Sequence, residues 1–236
     1  MAEARPTPEN SAEKSRSSGL TYVAIEGCIG VGKTTLTHLF SEYLSGRTVL
    51  EVVEENPFLP EFYEDPVAHA FKTQMFFLLS RFKQQESLIQ RELFDGAVVA
   101  DYLFAKDKIF AELTLADHEL GLYNQVFSAL ETKVKTPDLV IYLQAPLQVI
   151  LKRIEKRGRA FEKDIDPAYL ERLIDAYQRF FARYDASPLL IVDTEDLNFP
   201  KRREDVDAVL QAAEETASGG VHRRVLTGGV RQPTLL

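Results

Sequence analysis

Apolar positions along the chain follow two alternating periods. "LTYVAIE" (20–26) is a nearly unbroken apolar run of strand length, and "KTTLTHLFSEYLS" (33–45) after it has helical spacing. "VLEVV" (49–53) predicts a second strand. From Pro66 a long helix is predicted, with Phe71, Met75, Leu78 and Phe82 on one stripe. "AVVAD" (97–101) is a short strand and 117–133 a helix; "LVIYLQ" (139–144) is a strand, with helices at 147–156 and 167–183. "LLIVD" (189–193) is the last strand, and a closing helix runs to about 215. Strands separated by helices predict an α/β architecture: a five-stranded parallel sheet with right-handed crossovers and helices on both faces. Ligands of such sheets sit beyond the carboxyl ends of the strands.

The ends break this pattern. "MAEARPTPENSAEKSRSSG" (1–19) is polar and buries no face, and the stretch from 218 on carries two Gly-Gly pairs without periodicity. One domain is expected over 20–215, between flexible tails at 1–19 and 216–236. A net charge of -8 argues against a nucleic-acid surface. The single cysteine, Cys28, excludes an internal disulfide and fits a reducing compartment. The four histidines have no metal-ligand spacing, and no apolar run approaches the roughly 20 residues of a membrane span. With no apolar secretion signal at the N-terminus, a cytoplasmic protein that does not engage membranes is expected.

The chemistry begins at "GCIGVGKTT". Gly27, Gly32, Lys33 and Thr34 stand where the phosphate-loop pattern G-x-x-x-x-G-K-[ST] requires them, between a predicted strand and a predicted helix. Glycines let the backbone N–H groups of Gly27, Cys28, Ile29, Gly30, Val31, Gly32 and Thr35 wrap an anion, and the next helix presents its positive N-terminus to it. Lys33 supplies a point charge for the β- and γ-phosphates, and Thr34 can ligate Mg2+.

The loop does not name the phosphate acceptor. No N-K-x-D guanine-reading motif is present. Asp101, ending the third strand, is placed either as an acid near the metal or as a turn residue. In "RIEKRGRAFEK", Arg153 and Arg157 share a helix face and Arg159 follows Gly158. They suit either a lid over a transferring phosphoryl group or the negative end of a helix dipole. Gln74 and Arg81, seven residues apart amid aromatic side chains, are either readers of a planar base or the polar flank of an amphipathic helix.

Taken together, these stretches resemble the deoxyribonucleoside kinase family over about 20–215. The resemblance implies ATP as donor, Mg2+ as cofactor and the 5'-hydroxyl of a deoxynucleoside as acceptor. "EVV" resembles the family's catalytic-glutamate segment, which makes Glu51 the general base ahead of Glu54 and Glu55. It further implies Tyr63 and Glu162 on the sugar 3'-hydroxyl, Gln74, Arg81 and Asp107 at the base, and Arg153, Arg157 and Arg159 in a lid at about 153–164. Glu195 and Asp196, in "VDTEDLNF", would lie in the loop that holds the donor adenine. A homodimer is implied by resemblance alone.

One departure stands out. Many members carry D-R-S or E-R-S after the third strand; here Asp101 matches the acid but Tyr102 replaces the arginine. Lys106 is open to two readings, the missing cation or a surface lysine. The variant resembles the bacterial deoxyguanosine/deoxyadenosine branch, and Asp107, an acceptor for an exocyclic amino group, makes thymine the least suitable base. Two rivals remain at this level: a nucleoside-monophosphate kinase, and a nucleotide-binding regulator without catalysis.

Overall fold

Strand β1 (Tyr22–Gly27) is buried along its whole length, which places it at the middle of the sheet. The computed structural model describes residues 19–91, 96–163, 165–219, 222–227 and 234–235. The expected N-terminal tail falls almost entirely outside them. β1 pairs in parallel with β3 (Val98–Ala100) on one side and β4 (Leu139–Gln144) on the other. β2 (Arg47–Val49) extends the sheet beyond β3, and β5 (Leu189–Asp193) beyond β4, again in parallel. The five expected strands therefore exist, in the order β2-β3-β1-β4-β5. The chain first winds to one side of β1 and then crosses to the other, so a crevice opens beyond the carboxyl end of β1.

Three expectations are corrected. The second strand is Arg47–Val49, not 49–53: after Val49 the backbone leaves the ladder, and Val53–Glu55 forms a 3-10 turn. The β-branched run drew the reading, but its later half crosses the carboxyl edge of the sheet. The C-terminal stretch is also not simply a tail. α8 (Arg203–Ser218) runs past 215, and β6 (Arg223–Leu226) joins β5 in parallel. β7 (Thr234–Leu235) closes that edge antiparallel, making seven strands rather than five among the described residues.

The helices follow from caps and glycines. α1 (Lys33–Tyr43) begins after Gly32, which holds a left-handed φ of 113°. α2 (Leu59–Glu64) and α3 (Pro66–Arg91) are separated by Asp65, whose side chain accepts from the Ala68 N–H at 3.2 Å. α4 (Asp107–Thr114) and α5 (Asp117–Glu131) lead into β4. α6 (Leu147–Arg157) ends on Gly158 at φ 70°. α7 (Pro167–Ala182) starts on Pro167 and is capped by the Asp166 carboxylate on the Ala168 N–H, 2.9 Å.

The core is two-sided. Tyr142 of β4 stacks on Phe181 of α7 with centroids 4.2 Å apart, a geometry worth about 1 kcal/mol beyond simple burial. Its neighbours Ile141 and Leu143 point to the opposite face by the two-residue period of a strand and are equally buried. α1 and α8 pack on each other and on the strands, while α7 packs on α4 and α6. Among the described residues no helix is long and apolar enough to cross a membrane.

Candidate active site

A cleft of about 940 Å³ lies beyond the carboxyl ends of β1 and β3. Its wall runs from the phosphate loop past the Arg153–Arg159 segment to α3, so every stretch singled out by chemistry contributes to one space.

The phosphate end is built from backbone. Gly27 and Gly30 have positive φ, and a Cβ at Gly27 would come within 2.3 Å of the Leu143 carbonyl oxygen. A Cβ at Gly30 would meet Ile154 of α6 at 2.7 Å. The loop is thus pressed between β4 and α6, and only glycine permits that approach. Lys33 is folded onto the loop, donating to the carbonyls of Gly27 (2.8 Å) and Cys28 (3.2 Å). Burial lowers its pKa, with Lys106 adding to the effect, while Glu26, Glu51 and Asp101 oppose it. Ile29, Gly30, Val31, Gly32, Lys33, Thr34 and Thr35 line the cleft; Gly27 and Cys28 do not. The Cys28 thiol is buried, which pushes it up to about 12, and it serves the packing of the loop.

Asp101 joins this end to the next. One carboxylate oxygen accepts from the Thr34 hydroxyl at 2.8 Å, and the other from the Glu51 N–H at 2.6 Å. Two hard oxygen donors, Thr34 and Asp101, therefore sit together at the start of α1, a donor set suited to Mg2+ on a bound phosphate chain.

The other end is built from buried charge. Glu51 enters the cleft because the chain leaves the sheet after Val49. One of its oxygens accepts from Arg81, and the other from Lys106 at 2.8 Å. Burial would raise the Glu51 pKa, but Arg81, Lys106 and Lys33 outweigh it and hold the carboxyl far below the usual range. Arg81 is 5% exposed and forms a second ion pair with Asp107, whose side chain is fully buried. Its guanidinium lies over the Phe77 ring, 4.9 Å from the centroid. Gln74, also buried, donates to Thr114 at 3.4 Å. Gln74, Phe77, Arg81, Tyr63, Phe110 and Tyr177 form the inner wall, while Asp107 stands behind Arg81.

Above the cleft, Arg157 pairs with Glu162, and Arg159 pairs with Glu54 at 2.7 Å. Arg153 also lines the cleft, and it has further partners. It donates to the carbonyls of Val31 (2.9 Å), Thr194 (2.6 Å) and Leu197 (3.4 Å) and to the Thr194 hydroxyl (2.8 Å). It ties the phosphate loop to the 194–197 loop. Glu195 lines the cleft, but Asp196 does not; its carbonyl accepts from Arg202 instead.

Comparison with known proteins bears on this geometry directly. The deoxynucleoside kinase family description matches residues 23–217. The chain belongs to the deoxynucleoside kinase family. A deoxyguanosine kinase of Bacillus subtilis is 39% identical over 199 residues, covering 82% of this kinase and 96% of the relative. A deoxyadenosine/deoxycytidine kinase of the same organism is 33% identical over 184 residues, covering 75% and 83%. Among solved structures, a deoxyadenosine kinase from M. mycoides, with products dCMP and a flexible dCDP bound, superposes with a TM-score of 0.71 at 28% identity. It covers 81% of this kinase and 98% of that chain.

Two residues of the kinase's site were missed in the sequence. Glu26, next to last in β1, is fully buried and accepts from the N–H groups of Gly27 (2.9 Å) and Leu103 (2.7 Å) and from the Tyr177 hydroxyl (3.0 Å). A carboxylate closing an otherwise apolar strand was the available signal. Thr114, the partner of Gln74, gave none, because its segment lies in α4, which was not anticipated.

Proposed function

We propose that this kinase transfers the γ-phosphoryl group of ATP to the 5'-hydroxyl of a deoxyribonucleoside, foremost the purine nucleoside deoxyguanosine, with deoxyadenosine or deoxycytidine next. The observation that carries the reading is the bridge through Asp101. One carboxylate holds both Thr34 of the phosphate loop and the backbone of Glu51, so a donor's last phosphate and an acceptor's hydroxyl would meet at a fixed separation.

In this reading Glu51 receives the hydroxyl proton. A carboxylate held so acidic is a weak base, yet phosphoryl transfer through a loose transition state asks little basicity of it and much positioning. Lys33, Arg157 and Arg159 face the charge that develops on the transferring group. Arg153 supports this set by holding the loop rather than by reaching the phosphates. Thr34 and Asp101 would hold Mg2+, which when bound neutralises charge along the phosphates. Gln74 and Arg81 would read the base, with Asp107 acting on it through Arg81, and Tyr63 and Glu162 would hold the sugar; Glu162 must exchange its bond with Arg157 to do so. Glu195 belongs to the wall where the donor base would lie. A homodimer rests on the family resemblance alone, and a cytoplasmic setting on the sequence features given above.

The deoxyguanosine kinase relatives favour deoxyguanosine, while the deoxyadenosine kinase of Dictyostelium discoideum, 35% identical over 178 residues, keeps adenine next in order. The test is ATP-dependent phosphorylation of each of the four deoxynucleosides by kcat/KM, with deoxynucleoside monophosphates as parallel acceptors. Deoxyguanosine should be turned over best and thymidine worst. Activity on monophosphates alone would replace the reading with a nucleoside-monophosphate kinase, and no acceptor-dependent turnover would leave a regulator.

A further inference from the structure

Each oxygen of the Glu51 carboxylate has its own cation, and the two cations are not alike. Arg81 also serves Asp107 and lies on Phe77, in the wall where a base would sit. Its geometry must answer to whatever base is bound. Lys106 has other neighbours too, Glu26 and the Phe110 ring, but both stand farther off than Glu51. Its side chain is 2% exposed, and its ammonium lies 2.8 Å from Glu51 and 3.9 Å from Glu26, 5.9 Å from the Phe110 centroid. Its backbone is fixed in the 3-10 turn Phe104–Lys106 by the N–H bond to the Leu103 carbonyl, 3.0 Å. That turn is itself held, because the Leu103 N–H donates to Glu26.

A buried lysine could exist only to neutralise Glu26. The geometry argues otherwise. Glu26 already accepts three hydrogen bonds, from Gly27, Leu103 and Tyr177, and its contact with Lys106 is the longer one. Glu51 has no equivalent set; apart from Arg81 its carboxylate is bonded by Lys106. Tyr102 gives no cation here, since it is buried against Tyr22, Val98 and Ala100.

Building on the nucleoside kinase reading above, we propose that Lys106 is the positioning residue of the reaction: it holds the Glu51 carboxylate in place at the acceptor hydroxyl while Arg81 shifts between Glu51 and the base. Lys106 lines the cleft beside Glu51, and the groups facing that carboxylate from the surrounding elements are Lys33, Arg81 and Lys106, with Asp101 on its backbone and Glu26 behind. Loss of the Lys106 charge leaves Glu51 free to follow Arg81, so the damage falls on turnover rather than on nucleoside affinity.

The test uses the full chain with ATP, Mg2+ and deoxyguanosine. Lys106→Gln keeps a hydrogen-bond donor for Glu51 without the charge, and Lys106→Arg restores the charge. Lys106→Gln should lose about a hundredfold in kcat, the scale of one lost transition-state contact, while deoxyguanosine Kd by calorimetry moves less than about threefold. Lys106→Arg should recover most of the loss. A Lys106→Gln enzyme within about twofold of the parent kcat, a loss confined to Kd, or an arginine variant as poor as the glutamine one would overturn the assignment. If the parent enzyme phosphorylates no deoxynucleoside, the proposed function fails first; if it does and Lys106→Gln does too, only this inference fails.

Discussion

The two ends of the cleft solve the same problem, holding charge away from water, by different means. The phosphate end uses peptide groups and glycines pressed against β4 and α6, with one lysine folded back on the loop. The Glu51 end uses whole charges in a chain: Glu26, Lys106, Glu51, Arg81 and Asp107 alternate in sign through the interior. Backbone dipoles stay where the fold puts them whether or not a ligand is present. Side-chain ion pairs can trade partners, and removal of one member leaves the next buried and unpaired at a cost of about 3–5 kcal/mol. The first end is suited to a constant ligand, the second to choosing among ligands.

The contrast is tested most severely at Glu51. Glu51→Gln removes the proposed proton acceptor and leaves Arg81 and Lys106 facing a neutral group, so kcat should fall by about a thousandfold, with ATP affinity nearly unchanged. A loss that appears in ATP binding instead would mean the two ends are not separable. Gly30→Ala attacks the backbone end. The new methyl meets Ile154 at 2.7 Å, on a residue at φ 80°, so the loop must shift. The KM for ATP should rise by roughly tenfold or more while the nucleoside Kd holds, checked by titration of each substrate separately.

Gln74→Ala is milder. It deletes one planar contact in the proposed base wall, and kcat/KM for the preferred nucleoside should drop by about 10- to 100-fold while turnover of a poor nucleoside changes little. An equal loss on all four bases would remove Gln74 from base selection. The smallest expected effect is on acidification. Because the Glu51 pKa in the folded protein lies below its unfolded value, its ion pairs stabilise the fold above the ordinary carboxylate range, and that stability is lost only as pH falls through the depressed folded value. The kcat/KM profile of the free enzyme should therefore show no acid limb from Glu51 between about pH 5 and 8. A limb there would place an undisturbed carboxylate at the acceptor.

How far the sequence could be read follows the same division. β1, β4, β5, α6 and α7 carry long apolar signals bounded by glycine, proline or a cap, and they stand where the periodicity put them. The phosphate loop was legible because its function is local: nine consecutive residues contain it. The second strand was misplaced because Val49, Val52 and Val53 look alike in sequence, though only the first stays in the sheet. α2, α4 and β6 were too short to show a period. Lys106 could not be told from a surface lysine, since its partners lie 55 and 80 residues away by number and meet it only once β1 and the 50–51 turn converge. Arg153 shares a helix face with Arg157 and lines the cleft, but its carbonyl partners from two remote loops left no mark in the sequence.

That anchorage of Arg153 has a mechanical consequence. α6 is gripped near its middle, on the phosphate loop and on Thr194, so any swing of the segment beyond it turns about a fulcrum four residues before Arg157. At 1.5 Å per residue the lever arm is about 6 Å, and a tilt of roughly 20° would give it a throw of only about 2 Å. A gate with so short an arm would open and shut without disturbing the sheet beneath it, and its stroke would match the difference between a hydrogen bond made and one lost.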